Sequence, residues 1–177
     1  MASTAQRVAA VADDTARSEA EEYRQGEDRP LGGYVVVMAV FASVVAAVAG
    51  IAAATRQTVP RLSVKDLVLL TVATHKLSRT ITKDAVTSPL RALFVQYADT
   101  AGPSEVMEEP RKQSSLRHSI GELLSCPFCL DLWIATGFTI GLVFAPRLTR
   151  LVTGTFTALT GADFLQLAYS AAQQAAE

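Results

Sequence analysis

The chain is short of charge, cysteine and histidine, and each shortage closes off a class of protein. Only 19 % of its 177 residues are charged, against roughly a quarter in an average soluble domain. Basic and acidic residues number 16 and 17, a formal charge of −1, so there is no electrostatic footprint for nucleic acid and no such partner is expected. The only cysteines, Cys126 and Cys129, sit in one Cys-Pro-Phe-Cys run, which excludes the disulfide framework of a small secreted domain. With His75 and His118 as the only histidines, a nitrogen-rich metal site has few donors to draw on.

What the chain does have is uncharged length. Residues 31–54 carry no charge, 123–145 carry only Asp131, and 151–172 carry only Asp163. A helix needs about 20 mostly apolar residues to cross the hydrocarbon core of a bilayer, and Tyr34 to Ala54 shows no polar face that would suit a soluble core helix. Residues 62–83 add a further segment. Leu67, Leu70, Thr74, Leu77 and Ile81 recur at helical spacing on one face, while Lys65, Lys76, Arg79 and Lys83 share roughly the opposite face with His75 at its edge. The expectation is an all-α polytopic integral membrane protein with about four transmembrane helices, the second short and amphipathic.

Residues 1–30 read as a polar acidic cytoplasmic tail, disordered apart from a helical tendency through its alanines. Its length and acidity argue against a signal peptide. Residues 31–172 form the helical membrane domain, with a cytoplasmic loop at about 84–122, and 173–177 are a polar end. Within that loop, Thr87-Ser88-Pro89 stops the second helix, and 99–113 reads as polar loop. Pro127 belongs in the first turn of the third helix, where its missing N–H costs nothing, with Ser125 as a cap. Lysines and arginines collect near cytoplasmic membrane ends. The tail and the 83–117 region hold nine of them, against four in the loops at 56–61 and 147–150. This places the protein in the inner (cytoplasmic) membrane, multi-pass, with both termini cytoplasmic.

Three groups could carry chemistry. Cys126 and Cys129 at a helix start could do thiol redox work, since the helix dipole favours a thiolate there. They could also share a zinc with His75 and His118, or simply pack as small apolar side chains. The basic stripe of His75, Lys76, Arg79 and Lys83, continued by Arg91, could hold a lipid headgroup or phosphate, or only anchor the helix at the interface. Asp131 and Asp163 are intramembrane acidic residues of the kind that pair or line a polar path.

Two blocks, Ala73-Thr74-His75-Lys76-Leu77-Ser78-Arg79 through Lys83-Asp84-Ala85-Val86-Thr87-Ser88-Pro89-Leu90-Arg91, and Gly121-Glu122-Leu123-Leu124-Ser125-Cys126-Pro127-Phe128-Cys129-Leu130 with Trp133, resemble the bacterial membrane family known as domain of unknown function 1360, some of whose members are labelled sporulation-associated. The resemblance covers roughly residues 62–145 and implies a small multi-spanning membrane protein with no established reaction. Asp131 stands where a small residue is expected. The resulting expectation is one composite site on the cytoplasmic side, with His75, Lys76, Arg79, Lys83 and Arg91 partly neutralised by Asp84 and Glu122. That site would make the chain a non-enzymatic accessory subunit docking a membrane-protein partner, a second copy of itself or membrane lipid. The alternative is a metal- or thiol-dependent membrane enzyme using Cys126 and Cys129. No cofactor is expected beyond the zinc that Cys126, Cys129, His75 and His118 could share.

Overall fold

The computed structural model describes residues 4–176. Helix α1 (Thr4–Arg24) buries none of its residues and ends where Gln25 and Gly26 take positive φ. Helix α2 (Leu31–Ala54) follows Pro30. Helix α3 (Val64–Thr82) opens on a capping box: Ser63 Oγ accepts from the Asp66 N–H, and Asp66 accepts from the Ser63 N–H, both at 3.1 Å. A 3-10 turn (Ala85–Thr87) and the short α4 (Ser88–Arg91) lead into an antiparallel hairpin of β1 (Val95–Gly102) and β2 (Glu105–Pro110). Helix α5 (Ser115–Ser125), capped by Ser114, runs straight into α6 (Pro127–Phe144), and α7 (Pro146–Ala176) closes the chain.

The contacts fix the directions. Phe41 meets Trp133 edge to face at 5.0 Å, and Tyr34 on the first turn of α2 reaches Glu122 just before α6, so α2 and α6 run parallel. Along α3 and α7, Asp66 pairs with Arg150, Leu69 O accepts from Thr157, and Lys76 pairs with Asp163. The partners climb together, so these two helices are parallel as well. The tight turn at Ala145 sets α7 antiparallel to α6, with Gly141 against Thr149. The hairpin and α5 therefore lie at the end where α2 and α6 begin, and we call this end the head.

The core between α3, α6 and α7 is built from small and hydroxylic residues: Ala73, Ser78, Thr82, Leu142, Thr149 and Thr153 are all buried. The hydroxyls of Thr82 and Thr153 are satisfied by the carbonyl one turn back in their own helices, Thr82 to Ser78 at 2.7 Å and Thr153 to Thr149 at 2.9 Å, while the buried Thr74 hydroxyl has no partner among the described residues. Short side chains of this kind let helix backbones approach closely.

The expected count of four spanning helices is corrected here. Among the described residues two helices, α2 and α6, are long and apolar enough to cross a membrane. Helix α3 carries Lys65, Asp66, Lys76 and Arg79 within 19 residues. Helix α7 dilutes its leucines with threonines, glycines, Asp163 and glutamines. The all-helical expectation is corrected too, because the stretch read as a polar loop at 99–113 contains most of a β-hairpin. Its turn runs from Gly102 through Pro103 and Ser104 to Glu105, with Ser104 at φ +63.

Two close approaches hold the head to α2. The Gly33 N–H donates to Ser115 Oγ at 2.9 Å, and a Cβ on Gly33 would collide with Ser115 O and Ser119 Oγ. We expect Gly33→Ala to lower the thermal midpoint in detergent, at an overpacking cost of about 1–3 kcal/mol. Gly50→Ala, which meets nothing within 4 Å, should leave the midpoint unchanged or raise it; equal effects of the two would remove the packing argument. A second expectation concerns acid. The hydrogen bonds from Arg150 and then Ser63 hold the Asp66 carboxyl well below the ordinary carboxylate range. A carboxyl depressed in the folded state stabilises the fold above its unfolded value of about 4, and that contribution fades as pH falls through the folded value. Asp66→Asn should therefore cost stability at pH 7 and less as the pH is lowered below about 4; a cost constant across that range would refute the linkage.

Candidate functional site

The basic residues of the predicted stripe do not face outward as one surface. Lys76 Nζ lies 2.8 Å from Asp163 Oδ2 on α7. Arg79 grips Glu105 through both carboxylate oxygens, each 2.6 Å from Nη2. Arg91 is wholly buried: Nε donates to Glu108 at 2.6 Å, Nη1 to Ile81 O and Thr87 Oγ1, and Nη2 to Asp84 O and Ser88 Oγ at 3.2 Å each. His75 is exposed, and Lys83 makes no ion pair among the described residues, although its carbonyl accepts from Val106 N at 2.9 Å. Asp84 contributes through its backbone, accepting from Arg91 and bridging to Glu105.

Glu122 belongs to a different cluster. Tyr34 Oη donates to its Oε2, Arg29 Nη1 lies 3.7 Å from its Oε1, and His118 Nε2 lies 3.5 Å from the same oxygen. This cluster edges a cleft of about 650 Å³ between α2, α5 and the start of α6. Val37, Met38, Leu123 and Trp133 give the cleft its apolar walls, and Cys126 and Cys129 also line it. The expected cap at Ser125 is replaced by Cys126, whose Sγ accepts from the Cys129 N–H at 3.3 Å. The two sulfurs are 2.7 Å apart and both cysteines are free.

The expected composite site therefore divides in two. One half is an internal ion-pair network that fastens the hairpin to α3. The other is the cleft with Glu122, Cys126, Cys129 and His118. Among the described residues no group of three or more His, Cys, Asp or Glu side chains stands within reach of one metal ion, so His75, His118, Cys126 and Cys129 do not form a four-ligand site. Asp163 pairs with Lys76, while Asp131 Oδ1 on α6 is buried with no hydrogen-bond partner among the described residues. Reading the sequence alone missed Tyr34, Arg29, Glu105 and Glu108. The last two were within reach, since Gly102-Pro103-Ser104 between two short runs is a hairpin signal.

The buried pair makes a sharp expectation. Removing one partner of a buried ion pair leaves an uncompensated charge, which costs about 3–5 kcal/mol. Arg91→Met should thus destabilise the protein severely by thermal unfolding in detergent. The double change Arg91→Met with Glu108→Leu should recover part of the loss, and no recovery would show that Arg91 acts through its carbonyl partners rather than through Glu108.

Comparison with known proteins follows the geometry. The chain is 37% identical over 76 residues, 42% of its own length, to the sporulation protein YjcA of Bacillus subtilis (strain 168). The match spans 64% of that relative, so the chain covers less than two thirds of it. No solved structure matches. Residues 69–169, which include the buried arginine, the hairpin, both cysteines and most of the paired helices, match a family described as protein of unknown function DUF1360. They make up more than half of the chain, and the chain belongs to that family.

Proposed function

We propose that the chain is a membrane-embedded docking subunit with no reaction of its own, and that the cleft at the foot of α2 and α6 receives an apolar segment of a partner protein. One observation carries this reading: the cleft has apolar walls, and its polar groups already hold one another. Tyr34, Arg29 and His118 all address Glu122, leaving a shaped apolar hollow rather than a row of groups aimed at a substrate. Lys76, Arg79 and Arg91 are engaged by Asp163, Glu105 and Glu108, which weakens the case for lipid headgroups or phosphate along the basic stripe.

In this proposal the apolar helices α2 and α6 hold the chain in the bacterial inner membrane, with the head on the cytoplasmic side. The head end carries residues 4–30 and the 83–117 region, with nine lysines and arginines against four around 56–61 and 147–150. Helix α7 runs parallel to α3 and so points its C-terminal end back towards the head. A photo-crosslinking side chain at Val37 or Leu123, both in the cleft, should give one discrete heavier protein band in living cells. The same side chain at Leu165, which is exposed on α7, serves as the control. Bands equal at all three positions, or adducts to phospholipid alone, would sink the protein-docking reading.

A further inference from the structure

Cys126 and Cys129 are the part of the cleft that docking does not use. They are not a chance pair, because the helix start folds them together: Cys126 is the N-cap and Cys129 stands one turn on, so both sulfurs emerge on one side. The two sulfurs lie side by side with no disulfide between them, so one cation could take both. A third sulfur, that of Met38 on α2, belongs to a side chain lining the same cleft, with Val37, Leu123 and Trp133 beside it.

The donor set decides which cation. Structural zinc takes four ligands from Cys, His or carboxylate, and among the described residues no three such side chains converge. Calcium and magnesium need several oxygens. Two thiols and one thioether in an apolar hollow are soft donors, and soft donors select copper(I). We infer that the cleft binds one copper(I) ion, with the Cys126 and Cys129 thiolates as principal ligands and the Met38 thioether as a third. Two S–H bonds break, two Cu–S bonds form, two protons leave to solvent, and no electron is transferred. The sulfurs separate by side-chain rotation into the cleft. Glu122, which also lines the cleft, is itself faced by Arg29 and His118. This inference stands apart from what docks in the cleft.

The test uses the full chain, reduced and without oxygen, in mild detergent, titrated with copper(I) against the competing chelator bicinchoninate. One copper per chain is expected, with both thiols protected from maleimide until excess chelator is added. Zinc(II) should give neither result. Cys126→Ser and Cys129→Ser should each lose the bound copper while eluting unchanged from gel filtration, because serine keeps the cap at 126 and nearly matches cysteine in size at 129. Met38→Leu should weaken binding on the order of tenfold, the scale of a supporting contact to a metal site. Copper uptake unaffected by either serine variant, thiols labelled equally fast with and without copper, or one zinc per chain that copper does not displace would each overturn the inference. The crosslinking readout does not involve metal, so failure of one proposal leaves the other to its own result.

Discussion

The geometry of the head hangs on Arg91. A guanidinium taken wholly out of water is tolerated only when its donors are matched, and here Nε, Nη1 and Nη2 together reach Glu108, Ile81 O, Thr87 Oγ1, Asp84 O and Ser88 Oγ. Those partners belong to the last turn of α3, the 3-10 turn with its leading Asp84, α4 and β2, so one side chain ties four pieces of chain into a unit. The hairpin so anchored then fixes α5: a Cβ on Gly121 would meet Phe94 O at 2.6 Å and Pro110 at 3.0 Å, which means that α5 lies directly on the hairpin's base. Helix α5 in turn holds the foot of α2 through Ser115 and Ser119 and launches α6. Position is handed along from one buried charge to the two apolar helices.

The miscounted spans have a physical cause. A run of apolar residues reports the preference of a helix for lipid when nothing else covers it. It does not report what a neighbouring helix covers. Helix α3 keeps four charges because three of them have partners inside the fold: Asp66 with Arg150, Lys76 with Asp163 and Arg79 with Glu105. Helix α7 keeps threonines because each hydroxyl can bond to its own helix and face a neighbour at close range, as Thr149 does at Gly141. Both helices are specified by packing, and a hydropathy count treats them as weaker versions of α2 and α6, whose apolarity faces outward: Val35, Met38 and Ile51 on α2 are all exposed.

What the sequence made legible follows the same division. Local rules located some boundaries. Pro127 opens α6 as expected, whereas α3 stops at Thr82, ahead of the Thr87-Ser88-Pro89 stop expected for it, and Pro89 falls in the first turn of the separate α4. The long uncharged runs marked α2 and α6 because their signal is contained in the segment itself. The partners of the charges were less legible: Glu105 and Glu108 lie 26 and 17 residues from Arg79 and Arg91, and the Gly102-Pro103-Ser104 hairpin signal is the one local pointer to them. Glu122 was singled out, but for the wrong neighbours: it was expected beside the basic stripe, whereas Tyr34 and Arg29 reach it from the other side of the fold, 88 residues away in the case of Tyr34. Cys126 as a cap was missed because serine is the usual capping side chain and Ser125 stood one position earlier.

The cleft exists because α2 is held at only two heights near its foot. The seam at Gly33 brings α2 against α5 with no side chain between them. The next firm contact, Phe41 on Trp133, comes eight residues later, about 12 Å along a helix rising 1.5 Å per residue. Val37 and Met38 fall between these two contacts, and on the facing side so do Cys126 and Cys129. Neither side fills the gap: the α2 residues are of moderate size, and the first turn of α6 offers two cysteines where larger side chains would meet them. A leucine at either cysteine would narrow the hollow while keeping the helix apolar. The hollow is therefore a consequence of two small sulfur-bearing residues placed between two fixed crossings, and the same two residues determine both its room and its chemistry.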